Sequence, residues 1–175
     1  EALNLHAHLF AITLTVPQPG ANQVLALPVW IPGSYLVREF AQHLQHLTAT
    51  QAGAAVGLTQ LDKHRWQVHG HQIDQALTVR CEVYAFDASV RTAYLDSTRG
   101  FFNGTSLCLR PEGQADQRCT IDIVAPETIA VNAQWSCATG LFCLKTDAQG
   151  FGLYQADNYD ELVDCPVEMG AFWSA

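Results

Sequence analysis

Charge is scarce in this chain, and basic charge scarcest of all. Only 15% of the 175 residues are Asp, Glu, Lys or Arg, while 49% are hydrophobic, a balance that excludes an unfolded chain and calls for an extensive core. Nine Lys and Arg stand singly among 17 acids, for a formal charge of −8. Without a basic stripe, binding to nucleic acid or to an anionic membrane is excluded as a function. No apolar run approaches the roughly 20 residues of a membrane-spanning helix, and no secretory signal lies within these residues. C-x-x-C, G-x-S-x-G, P-loop, G-x-G-x-x-G and H-E-x-x-H are all missing, which removes the common local signatures of zinc sites, strained nucleophiles and nucleotide binding. Internal repeats and low-complexity tracts are missing as well.

What the chain does have is length enough for one domain whose core needs neither disulfide nor metal. Its six cysteines, at 81, 108, 119, 137, 143 and 165, fall mostly in apolar strand-like runs such as Thr78-Val-Arg-Cys-Glu-Val-Tyr84. They read as buried free thiols of a reducing, cytoplasmic compartment. A bridge between Cys137 and Cys143 is the competing reading. A two-residue turn at Thr139-Gly140 would set Cys143 opposite Ser136 and so disfavours it.

Turn signals recur along the chain, and the segments between them alternate or run β-branched and aromatic. Strands are expected at 3–16, 23–30, 58–62, 65–68, 76–86, 105–109, 118–124, 129–134, 141–146 and 152–155, with 58–62 and 65–68 forming a hairpin around Lys63-His64. The clearest alternation puts Leu77, Val79, Cys81, Val83 and Ala85 on one face. Roughly nine to twelve short strands with Gly, Pro and Asn turns point to an all-β fold, an antiparallel β-sandwich or saddle-like domain. Helix is limited to one or two short pieces. One is expected at 34–41 with strand after it, the other at 159–163, capped by Asp157 or Asn158 and stopped by Pro166. The domain is expected over 1–157, with 158–175 a short helix and linker. The acid-crowded end (Asp160, Glu161, Asp164, Glu168), the closing aromatics Phe172 and Trp173, and a start at Glu1 rather than Met read as a piece cut from a larger protein.

Candidate chemistry is thin. His6/His8, His43/His46 and His69/His71 form suggestive pairs, yet each needs third and fourth ligands that nothing local supplies. Asp160/Glu161 and Asp164/Glu168 have the composition for acid–base work, although their crowding favours helix capping or an interdomain contact over it. Asn103-Gly-Thr105 fits a glycosylation sequon but is first of all a turn. Two segments are harder to explain as ordinary strand and turn. In one, Pro28, Pro32 and Gly33 pin the backbone between Trp30 and Tyr35, with Arg38 placed to fork onto a carboxylate or carbonyls and lock the corner. In the other, Arg91, Asp96, Arg99 and Asn103 lie in or beside a Gly-rich aromatic loop, as either a salt-bridged corner or a loop presenting polar groups to a ligand or neighbouring domain.

Taken in order, these segments resemble the N-terminal domain of the glycyl aminopeptidase family, zinc metallopeptidases with a thermolysin-like catalytic domain and a PDZ domain. The matching residues are Trp30-Ile-Pro-Gly-Ser-Tyr35 with Arg38-Glu-Phe40, then Tyr94-Leu-Asp96 with Arg99-Gly-Phe-Phe-Asn-Gly-Thr-Ser106, and Tyr159-Asp-Glu-Leu-Val-Asp164 with Pro166-Val-Glu-Met-Gly170. The resemblance implies a non-catalytic domain that shapes the substrate cleft and docks the catalytic domain. It places zinc and the catalytic residues outside this chain, so that residues 1–175 have no activity and no cofactor of their own. The implied partners are the parent's catalytic and PDZ domains and a peptide substrate. A second similarity, through Cys119-Thr-Ile-Asp-Ile-Val-Ala-Pro-Glu127, runs to larger zinc aminopeptidases with a saddle-shaped N-terminal domain. It implies that Asn103, Gly104, Thr105 and Ser106 lie near the peptide's amino end. Asp160, Glu161 and Glu168 are then further cleft candidates, and Trp30, Pro32, Gly33, Tyr35, Arg38, Asp96 and Arg99 a structural motif. The alternatives are a standalone β-sandwich module binding peptide or carbohydrate, and a small metalloprotein built on the histidine pairs.

Overall fold

The computed structural model describes residues 1–31, 35–127 and 135–172. In chain order the strands are β1 (Ala2–Asn4), β2 (Leu9–Val16), β3 (Val24–Ala26), β4 (Leu44–Gln51), β5 (Ala54–Gln60), β6 (Arg65–His69) and β7 (Leu77–Tyr84). There follow β8 (Ala93–Leu95), β9 (Arg99–Phe102), the helix α1 (Gly104–Leu107), β10 (Arg110–Pro111), β11 (Cys119–Ile123), β12 (Ser136–Thr139), β13 (Phe142–Thr146) and β14 (Gly152–Ala156). Helix α2 (Tyr159–Asp164) and β15 (Val167–Gly170) complete the described elements, with a 3-10 turn at Phe40–His43.

The fold is all-β, as its composition and alternation lead one to expect. A curled eight-stranded sheet runs β1-β2-β7-β4-β5-β6-β3-β10, beside a three-stranded sheet β11-β14-β13 and a four-stranded sheet β12-β15-β9-β8. Every pairing between these strands is antiparallel. β7 lies inside the large sheet, and the side chains of Leu77, Val79, Cys81 and Val83 are all buried on one face. One core cluster gathers around Leu25, Leu27, Trp66 and Val79, the other around Phe10, Leu95, Tyr154, Val167 and Met169. Ile12 and Leu44 pack against both. Each fully buried Leu, Val or Phe contributes about 1.5–3 kcal/mol relative to an exposed one, so these two clusters supply most of the drive to fold.

Several expectations are corrected. The long strand at 3–16 is two strands. Asn4 Oδ1 accepts the N–H groups of His6 (3.1 Å) and Ala7 (3.0 Å), and His8 takes φ 59°, so the chain turns back on itself where hydropathy alone runs on. The strand at 105–109 is instead α1, because Asn103 caps it. No helix begins at Tyr35; the turn at Phe40–His43 is all that the expected helix at 34–41 becomes among the described residues, and the strand expected after it is β4. The strand at 23–30 shrinks to β3. The strand at 129–134 lies outside the described residues. The hairpin at 58–68 forms as β5 and β6, its turn held by Asp62, which accepts from His64 N–H (3.0 Å) and Arg65 Nε (2.7 Å). Residues 167–170 are not linker but β15, inside the four-stranded sheet with Val167 and Met169 buried.

Candidate functional site

The loop from β9 into α1 is held by its own side chains. Asn103 is extended (φ −89°, ψ 131°), and its Oδ1 accepts from Thr105 N–H at 3.1 Å and Thr105 Oγ1 at 2.5 Å. Ser106 Oγ donates to Asn103 O at 2.7 Å. A helix N-cap of this kind satisfies N–H groups that would otherwise be orphaned. Thr105 and Ser106 are turned inward, 2% and 4% exposed. Gly104 is pressed onto α2: a Cβ there would lie 3.0 Å from Val163 Cα and 3.2 Å from Leu162 O. Of the four cleft candidates in this loop, Asn103 alone is half-exposed and Gly104, Thr105 and Ser106 are buried.

On the other side of Asn103 a polar and aromatic row reaches the surface. Asp96 Oδ1 accepts from Thr98 N–H (2.7 Å), Thr98 Oγ1 (2.7 Å) and Arg99 N–H (2.9 Å), and Oδ2 from Tyr94 OH (2.8 Å). Partial burial pushes this carboxyl up, but the bonds from Thr98, Arg99 and Tyr94 outweigh it and hold its pKa at about 2. Its bond from Tyr94 in turn raises the phenol's pKa. Arg99 Nη2 donates to Glu168 Oε2 at 2.9 Å, and its guanidinium lies 5.9 Å from the Tyr94 ring centroid, within cation–π range. Tyr94 stacks on Phe86 (5.2 Å, 21°), Phe86 meets His8 (3.9 Å), His8 meets Tyr84 edge-on (6.0 Å), and His43 lies 6.3 Å from Tyr84. A recess of about 90 Å³ bordered by Phe40, Tyr84, Phe86, Asp87 and Ser106 joins this row to α1.

The acids of α2 belong to a different network. Asn158 Oδ1 accepts from Glu161 N–H (2.8 Å), and Glu161 Oε2 accepts from Asp157 N–H (2.6 Å), a near relative of the capping box. Asp160 is exposed in the first turn, where the helix dipole favours a negative charge. The expected border acids therefore do not act as one cluster: Glu161 closes a helix start while Glu168 pairs with Arg99. At the other motif, Pro32 and Gly33 lie outside the described residues. Trp30 and Tyr35 are exposed, Arg38 N–H donates to Val29 O (2.6 Å), and Arg38 Nε is buried with no hydrogen-bond partner among the described residues. Among the described residues no three His, Cys, Asp or Glu side chains come together as metal ligands. His8 Nδ1 instead meets Leu95 O (2.5 Å), His46 Nδ1 meets Glu82 Oε2 (3.1 Å), and His71 Nε2 meets Gly20 O (2.7 Å).

All six cysteines are free thiols. Cys137 sits on β12 and Cys143 on β13, in different sheets. Burial pushes Cys81, Cys108 and Cys137 up to about 12, so none is a ready thiolate nucleophile at neutral pH.

The aromatic row is the feature that sequence reasoning passed over, although its signal was there. In 76–86 the odd positions face the core, which leaves Tyr84 and Phe86 as large rings on the outward face. They are 43% and 51% exposed.

The description Peptidase M61 N-terminal domain matches residues 1–171. The chain is also similar to an aminopeptidase N family protein from Idiomarina loihiensis, at 43% identity and a TM-score of 0.91, covering 97% of this chain and 28% of that one. Likeness to an M1 zinc metallopeptidase from Deinococcus radiodurans stands at 14% identity and a TM-score of 0.46, covering 95% of this chain and 38% of that one. The chain thus spans well under half the length of either protein. Among curated proteins none matches. With 171 of its 175 residues under the family's description, this chain belongs to the Peptidase M61 N-terminal domain family.

Proposed function

We propose that this is the non-catalytic N-terminal domain of a zinc-dependent aminopeptidase, docking the catalytic domain and shaping one wall of the peptide cleft. The observation that carries the docking role is an apolar surface that a lone domain has no use for. Tyr35, Leu36 and Val37 are exposed in succession, at 105%, 65% and 75%, and Tyr84 and Phe86 are exposed beyond the turn at Phe40–His43. Large apolar groups exposed in succession, as at 35–37, mark interaction faces. The family and the Idiomarina relative's description support the enzyme class. Asn103 and Glu168 border the row and are the candidates to meet the peptide's amino end. In this reading zinc is held by the parent's catalytic domain. A PDZ domain and a cytoplasmic location complete the proposal.

The test uses the parent protein with Tyr35→Ser and Val37→Ser. Substitutions at exposed sites stay within about ±0.5 kcal/mol for folding, so the isolated domain should melt unchanged. In the parent, protease cleavage between domains should accelerate and kcat/KM should fall. Unchanged proteolysis and kinetics would overturn docking at this face. If the isolated wild-type domain then bound a peptide or glycan through the same rings, the binding-module reading would replace it.

A further inference from the structure

β2 and β11 face each other across a slot of about 670 Å³, and they do not pair. Residues 10–17 line one side and 117–124 the other, while residues 107–111 and the core side chains of Phe102, Tyr159, Leu162 and Met169 complete the lining. The unpaired edge of β2 therefore borders the slot over the core. β1 covers the edge of β2 only as far as Glu1, whose amino group donates to Ala11 O (3.0 Å) while Ala11 N–H donates to Glu1 O (2.9 Å). Alternate residues of an antiparallel strand turn their N–H and C=O to the same side. Thr13 and Thr15 therefore present theirs to the slot, since β7 takes the opposite edge along all of Leu9–Val16. Among the described residues no strand pairs with them there. β11, on the far wall, pairs only with β14 among the described residues.

We propose that this slot seats one further β-strand, antiparallel to β2 and continuous with β1, supplied by polypeptide attached to the amino group of Glu1. The β1–β2 ladder fixes its register. Glu1 and Ala11 exchange both backbone bonds, so the residue two before Glu1 falls opposite Thr13 and the residue four before it opposite Thr15. The open edge is five residues long, about 17 Å, the length of an ordinary strand. Ile12, Leu14 and Ile121 are half-buried around the slot and pack against the core. Side chains opposite Ile12 and Leu14, one and three residues before Glu1, share their face and are apolar in such a strand. The amino group of Glu1 is already drawn into the protein, and burial lowers its pKa; a peptide bond there carries no charge to desolvate. The added strand would give the large sheet a covered edge in place of an exposed one.

Amide hydrogen exchange tests this in three proteins: residues 1–175, the same chain with the residues that precede Glu1 in its gene, and the chain with a Gly-Ser leader of equal length. The Thr13 and Thr15 amides should slow at least tenfold in the second protein alone, with Ile12 and Leu14 unchanged. Equal exchange in all three, or equal slowing by the Gly-Ser leader, would overturn the proposal. Should 1–175 prove insoluble alone, the parent protein still decides the matter. Protected Thr13 and Thr15 amides that become fast when the residues one and three before Glu1 are changed to Asp support it, and fast exchange in the unaltered parent overturns it.

Discussion

Arg99 Nη2 donates to Glu168 Oε2 at 2.9 Å, joining residues 69 apart in the chain on the neighbouring strands β9 and β15. Their side chains are 50% and 37% exposed, so solvent screens the pair and its contribution to folding is about 0.2–1 kcal/mol. Glu168→Ala should therefore leave the denaturation midpoint of the domain nearly unchanged. In the parent protein it should lower kcat/KM for peptides with a free amino end, because it removes a carboxylate and releases Arg99 from Tyr94. A large loss of stability with intact kinetics would make the pair purely structural.

Gly104 is where α1 meets α2. Gly104→Ala would set a Cβ 3.0 Å from Val163 Cα, backbone that cannot swing aside. Overpacking of this kind costs about 1–3 kcal/mol, which urea denaturation of the domain will read. A cost below about 0.5 kcal/mol, the range of an ordinary surface change, would show that the two helices slide apart freely.

Asn103→Ala removes the cap of α1 and should cost about 0.5–2 kcal/mol, whereas Asn103→Asp keeps an acceptor for Thr105 and should cost less. Thermal melts of the two variants give the comparison. In the parent, a fall in kcat/KM for Asn103→Asp with stability retained would separate a substrate contact from the capping role.

Asp96 gives the domain an acid-sensitive element. Its folded pKa of about 2 lies below the ordinary carboxylate value of 3.8, so its stabilisation is full above pH 3.8 and drains away as pH falls toward 2. Asp96→Asn should lower stability at neutral pH and flatten the loss between these limits. An unchanged acid limb, followed by circular dichroism against pH, would contradict the hydrogen-bond account of this carboxylate.

The thiols should divide by exposure. Cys143 is exposed, whereas burial holds Cys81, Cys108 and Cys137 near 12. A thiol reagent at pH 8 should label Cys143 first, and Cys143→Ser should remove that fast phase. Fast labelling of Cys81 or Cys108 in the folded protein would mean that the core opens.

Much of the fold was legible because hydropathy alternates where a strand has one buried face. β7 shows this best, and the β5–β6 hairpin carries its turn chemistry in Asp62. Two of the misses share one cause. At Asn4 and Asn103 a short side chain bonds nearby N–H groups and redirects a backbone whose flanking residues, such as Thr105 to Leu109, suit a strand. The family resemblance was legible in three ordered motifs, whereas the detailed site was not. Which acid faces which base depends on strand pairing across long separations, and neither the Arg99–Glu168 pair nor the division of Glu161 from Glu168 follows from local spacing.

The most direct measurement is hydrolysis of an aminoacyl substrate by the parent protein, with and without a zinc chelator, beside residues 1–175 alone. Activity in the parent that the chelator abolishes, and none from residues 1–175, is the expected result. An inactive or chelator-indifferent parent, or hydrolysis by residues 1–175 on their own, would contradict a non-catalytic domain of a zinc aminopeptidase.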